Sequence, residues 1–130
     1  MTPQFNEIGE RMGPFDLTLI ESGAYDPAWP DVHLGPEQAL DVHRAVRGKV
    51  MLPIHWGTFD LALHPWIEPA ERLMAADRED IHLTLPIPGT RFSWDSPPTL
   101  QRWWPHLPWE TALERPIRAT GLHTPPYRPL

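Results

Sequence analysis

Residues 49–59 read Lys-Val-Met-Leu-Pro-Ile-His-Trp-Gly-Thr-Phe. Lys49 to Ile54 is a short apolar run of the kind that forms a buried strand, and it stops at His55. Gly57 then lets the backbone turn sharply. Working upstream, Gly48 is a natural helix stop. Ala39, Val42 and Val46 fall at helical spacing behind Pro36, whose missing N–H suits a first helical position. Residues 23–35 are rich in proline and glycine and read as a long loop. Before it, Phe15-Asp16-Leu17-Thr18-Leu19-Ile20 alternates, with Phe15, Leu17 and Leu19 on one face, which predicts a strand. Asn6 to Met12 is polar and loosely helical, ended by Gly13-Pro14. Downstream, a second helix is expected from Pro69 to about Asp80, with Leu73, Met74 and Ala76 inward. Two more strands are expected at Ile81–Leu85 and Thr90–Trp94, separated by Pro86-Ile87-Pro88-Gly89. The order β-α-β-α-β-β indicates a layered α/β unit.

From Ser96 the character changes to proline and tryptophan, including Trp103-Trp104-Pro105-His106-Leu107-Pro108-Trp109. Residues 96–130 are expected to form an extended tail that packs its tryptophans onto a domain of residues 1–95, with the last ten residues disordered. With 18 prolines in 130 residues, regular elements must be short. The chain carries no cysteine, so disulfides, iron–sulfur clusters and thiol catalysis are excluded. Its net charge of −6 disfavours a nucleic-acid partner, because phosphates would meet a repulsive field. No apolar run reaches the ~20 residues of a membrane span. The first residues lack the basic start and apolar core of a signal peptide, so a cytoplasmic protein is expected. A membrane partner is disfavoured as well, since Trp103, Trp104 and Trp109 are flanked by prolines and need packing partners.

Seven histidines in an acidic chain raise the question of a metal. His55 is the best placed, because ligand sites of open α/β sheets gather where strands end. A strand-end histidine taken alone is more often a satisfied structural residue. His43 lies in the helix and is as easily turned to solvent. Asp26 and His33 share a loop, where they form either a carboxylate–imidazole pair or nothing, with Asp26 capping a turn at Pro27. No serine-nucleophile elbow, phosphate-cradling glycine loop or His-Glu-x-x-His helix occurs.

Two blocks carry a resemblance. FNEIGERMGPFDLTLIESGAYDPAWPDVHLGPEQALDVH and LPIHWGTFDLALHPWIEPAERL resemble the C-terminal half of metallo-β-lactamase-fold hydrolases. The branch is the one that includes N-acylphosphatidylethanolamine phospholipase D and its bacterial relatives. The resemblance covers about residues 5–94 and extends to Trp103-Trp104. It implies one half of an αββα sandwich, one mixed sheet with covering helices, whose edge holds two zinc ions in the complete family. There the metal-bound hydroxide attacks a phosphodiester or ester bond of a small-molecule or lipid substrate. By the same resemblance His55 is a zinc ligand, His33 belongs to the catalytic centre, and Tyr25 and Asp26 border the substrate. The family's His-x-His-x-Asp-His loop and its bridging aspartate are not in this sequence. A catalytic zinc needs about three protein ligands plus water, and His55 alone is too few. The expectation is therefore a partial sandwich, inactive without a complementing N-terminal half. The alternative is a non-catalytic remnant that associates with itself or another protein through an uncovered sheet face.

Overall fold

The computed structural model describes residues 2–76 and 79–117. Helix α1 (Gln4–Met12) leads into strand β1 (Phe15–Glu21), followed by helix α2 (Pro36–Ala45), strand β2 (Gly48–Ile54), helix α3 (Glu68–Ala75) and the two-residue strand β3 (His82–Leu83). The three strands form one parallel sheet in the order β1-β2-β3. Among the described residues the result is a layered α/β unit whose one sheet is parallel throughout, where a mixed sheet is expected, because a helical crossover joins each strand to the next.

Parallel pairing aligns Leu17 with Val50, Leu19 with Leu52, and Glu21 with Ile54. Side chains alternate between faces, so Thr18, Ile20, Met51 and Pro53 share the other side. That side is buried. Ala39, Leu40 and Val42 of α2, with Ala70 and Leu73 of α3, join Ile20 and Met51 in the same core. The Phe15–Leu17–Leu19 face is the less covered one: Leu19 is 56% exposed and Ile54 39%. Helices from Pro36 and Pro69 thus shield only one side of the sheet.

Gly35 caps α2, and its N–H donates to the Gln38 side chain at 2.9 Å. The turn after α2 differs from expectation. Arg47, not Gly48, takes the left-handed conformation (φ 61°). Gly48 instead opens β2 because the His43 ring occupies the space a Cβ would need, 2.5 Å away. His43 does not face solvent. It is 2% exposed, its Nδ1 lies 2.8 Å from Thr18 Oγ1, and burial holds it below its ordinary pKa.

The C-terminal elements are shorter than the sequence suggests. Helix α3 ends at Ala75, and Ala76 is already extended. The strand expected at Ile81–Leu85 shrinks to His82–Leu83 for a covalent reason. The Met51 carbonyl faces β3 and accepts the Thr84 N–H at 2.9 Å. Two residues on, Pro53 faces the same way and has no N–H to continue the ladder. Pro86 cannot donate either. The strand expected at Thr90–Trp94 is not formed. Ser93 and Ser96 make an isolated bridge around a tight turn, leaving those residues no neighbouring strand.

Tail residues return to the core. Trp104 is 6% exposed, and its indole N–H donates to Glu71 at 2.9 Å, while that of Trp103 donates to the Leu85 carbonyl. The two rings meet edge to face, and Trp56 meets Trp104 in the same way. Arg102 clasps Glu71, the Glu110 N–H reaches Glu68, and Arg72 reaches the Arg115 carbonyl. These bonds satisfy carboxylates of α3 that would otherwise be buried alone. The expectation of disorder for residues 121–130 lies outside the described residues. None of the described helices is long and apolar enough to cross a membrane.

Candidate functional site

Strands β1 and β2 run parallel, so their carboxyl ends stop side by side. Glu21 ends β1 opposite Ile54, and His55 follows directly. His55 is held with φ at 63°, a left-handed conformation uncommon for a residue with a side chain. Gly23 makes this turn possible. A Cβ there would collide with the His55 carbonyl oxygen, so the loop backbone packs directly on that of His55. Ala24, also left-handed, re-aims the chain on the β1 side. Both chains therefore leave the ladder just past the Glu21–Ile54 pair.

The loop after β1 brings His33 back over this edge. Its Nδ1 lies 3.0 Å from Glu21 Oε2, while Glu21 Oε1 accepts the Leu34 N–H at 3.2 Å. One carboxylate thereby ties both the imidazole and the loop backbone to the end of β1. The His33 and His55 rings stand 4.9 Å apart. One donor atom from each of Glu21, His33 and His55 can be chosen so that all lie within 4.8 Å of one another. Two imidazoles and a carboxylate suit a borderline divalent metal such as zinc. Beside His55 lies a small hollow of about 40 Å³, bounded by Ala24, Trp56, Phe59, His64 and Trp66 among others.

Tyr25 and Asp26 are engaged by other partners. Tyr25 is 3% exposed, stacks on His64 with ring centroids 4.1 Å apart, and donates its hydroxyl to Glu68 at 2.8 Å. Burial, reinforced by that carboxylate, pushes its phenol far above the ordinary range, so it stays a proton-bearing donor. Asp26 turns inward. Oδ1 accepts the Ala28 N–H at 2.9 Å and Oδ2 faces Arg115 at 3.6 Å. Of the two readings of the Asp26–His33 loop, the turn cap is the one observed. The carboxylate that meets His33 is Glu21. Sequence reasoning passed over Glu21, because only the parallel β1–β2 register puts the last residue of β1 beside the histidine that follows β2. His64 is likewise engaged, accepting the Ala24 N–H at 3.1 Å.

Residues 1–56, from α1 through the turn after β2, match the family described as "Beta-lactamase superfamily domain". Over this stretch the chain is similar to that superfamily. Beyond it, an uncharacterized protein of Mycobacterium tuberculosis is 48% identical over 107 residues, which are 79% of this chain and 29% of that protein. An N-acyl-phosphatidylethanolamine-hydrolyzing phospholipase D of Caenorhabditis elegans is 40% identical over 83 residues, 60% of this chain and 23% of its own length. The mitochondrial enzyme of that description from Saccharomyces cerevisiae is 35% identical over 72 residues, 53% of this chain and 15% of its length. This chain thus spans less than a third of these relatives. The matched stretch of residues 1–56 includes both His33 and His55.

Proposed function

We propose that this chain forms part of a zinc-dependent hydrolase centre that cleaves phosphodiester or ester bonds. The observation that carries the reading is the convergence of His33 and His55 at the ends of parallel strands, in a chain similar to proteins named as phospholipases D. In this reading His55 donates a ring nitrogen to the metal and His33 is the second imidazole of the catalytic centre. Glu21 holds the His33 loop in place. Tyr25 and Asp26 act from behind, as the wall that keeps the substrate side of the β1 loop in shape. A metal held there supplies a Lewis acid for the scissile group and activation of water. A two-metal centre needs ligands beyond those gathered here, so the chain by itself is expected to hydrolyse little.

The test joins the chain to the upstream part of the Mycobacterium tuberculosis relative and follows hydrolysis of bis(p-nitrophenyl) phosphate with zinc. Turnover by the joined protein, lowered at least ~10²-fold by His55→Ala, is the expected result. Absence of turnover with zinc present, or turnover indifferent to His55→Ala, would overturn the reading.

A second reading, an association module, is favoured by one observation: Leu19 and Ile54 lie exposed on the less covered sheet face. Sedimentation of the purified chain tests it. Self-association that Leu19→Lys abolishes supports this reading, and a monomer at all concentrations removes self-association from it.

A further inference from the structure

Three donors meet in this chain where the sequence offered only His55. We infer that Glu21, His33 and His55 form a site for one divalent transition-metal ion that is complete within this chain. The inference rests on the reading of His55 as a metal ligand and adds to it the two partners and the stoichiometry.

The arrangement is built, not incidental. Glu21 is anchored at both oxygens, by the Leu34 N–H and by the His33 ring. His55 is fixed by a left-handed backbone seated against Gly23. Neither imidazole is buried beyond reach: His33 is about a quarter exposed in its side chain, and His55 is exposed. The remaining histidines contrast with this pair. His43 is sealed against Thr18, and both His64 nitrogens lie within hydrogen-bonding distance of backbone atoms of Ala24 and Pro65. Among the described residues no other group of His, Asp and Glu brings its donor atoms this close.

Donor chemistry sets the class of ion. Calcium and magnesium favour oxygen ligands throughout, whereas two nitrogens and one carboxylate oxygen suit zinc, cobalt or nickel. Two histidines and a glutamate are also a known catalytic zinc set, with a fourth position left open. Binding replaces the Glu21–His33 contact with bonds to the cation, so the carboxylate that now faces the ring would face the metal.

Cobalt(II) titration of the purified 130-residue chain, read by its visible absorption, is the experiment, with zinc competition as confirmation. One ion per chain is expected. His55→Gln, His33→Gln and Glu21→Gln should each weaken binding at least tenfold, whereas His82→Gln, at an exposed position on β3, should not. Near-UV circular dichroism of the tryptophans checks that each variant is folded. The inference is overturned if the folded chain takes up no cobalt, or if Glu21→Gln and His33→Gln bind as well as the parent. In the second case, loss of binding in His55→Gln alone would leave the hydrolase reading standing. Conversely, a one-to-one cobalt site in a chain whose joined form hydrolyses nothing would retain this inference and remove that reading.

Discussion

Glu21, His33 and His55 stand half-buried to exposed at the strand ends, whereas Glu68, Glu71 and Arg72 are sealed beneath the tail. Both groups are built from ionisable side chains, yet their partners differ. Arg72, 2% exposed, spends its guanidinium on Glu37 at 2.7 and 2.9 Å and on the Arg115 carbonyl, with Glu68 3.5 Å away. Burial works against its charge, but Glu37 outweighs burial and the guanidinium is held more firmly protonated than usual. Tyr25 and Trp104 close the remaining acceptors of Glu68 and Glu71. Among the described residues, the polar atoms of Glu68, Glu71 and Arg72 are engaged within the protein. At the strand ends Glu21 is tied down but the imidazoles keep reach to solvent. A charged group inside a fold is structural when every lone pair is consumed and available for chemistry when one is not.

The largest effect should come from the sealed side. Arg72→Met keeps most of the volume but strands Glu68 and Glu37 without their cation. A loss of about 3–5 kcal/mol in urea unfolding is expected. Adding Glu68→Gln to Arg72→Met should return part of it. A change below about 1 kcal/mol for Arg72→Met alone would show that the cluster is less sealed than its burial indicates.

Next in size is an acid dependence. The Arg102 guanidinium hydrogen-bonded to Glu71 holds its carboxyl below the usual glutamate value; burial opposes this, and the Trp104 N–H assists Arg102. A carboxyl with a depressed folded pKa contributes stability that is fully present above its ordinary value of ~4.3 and lost as the pH falls through the lower, folded value. Stability of the parent should therefore fall more steeply below about pH 4 than that of Glu71→Gln. Parallel acid limbs in the two proteins would remove Glu71 as the cause.

The smallest effect carries the opposite sign. His55 holds a left-handed backbone at a cost that glycine would not bear. His55→Gly should raise the unfolding free energy by up to ~1 kcal/mol while abolishing cobalt uptake. Destabilisation by that substitution would mean that the His55 ring supports the fold and is not merely held by it.

The stretches that could be read along the chain were those whose physics is local. The strand at Phe15–Glu21 and the one ending at Ile54 follow from apolar runs, and α2 from Pro36 and its spacing. The chemistry of His55 was also legible, because a histidine at the end of an apolar run before a glycine sits where parallel sheets gather ligands. Alternation in β1 was visible too, but not which face is covered: Leu19 looks inward by composition and is outward in fact, while Thr18 is inside against His43. α3 went the same way. Only Leu73, Met74 and Ala76 are expected inward, yet Glu68, Glu71 and Arg72 are buried as well, because distant Tyr25, Arg102, Trp104 and Glu37 bond them.

Sequence by itself determined the β-α-β order of the first elements, Gly57 as a turn residue after His55 and the exclusion of thiol chemistry. These depend on neighbours a few positions away and on the absence of a residue type. Tertiary structure alone decided that β3 stops where Pro53 has no N–H to offer, and that the carboxylate beside His33 is Glu21, not Asp26. It also decided that the tail completes the core under α3. Each of these is a contact between segments 12 or more residues apart, fixed by strand register and by where buried charges find partners. No local pattern carries that information.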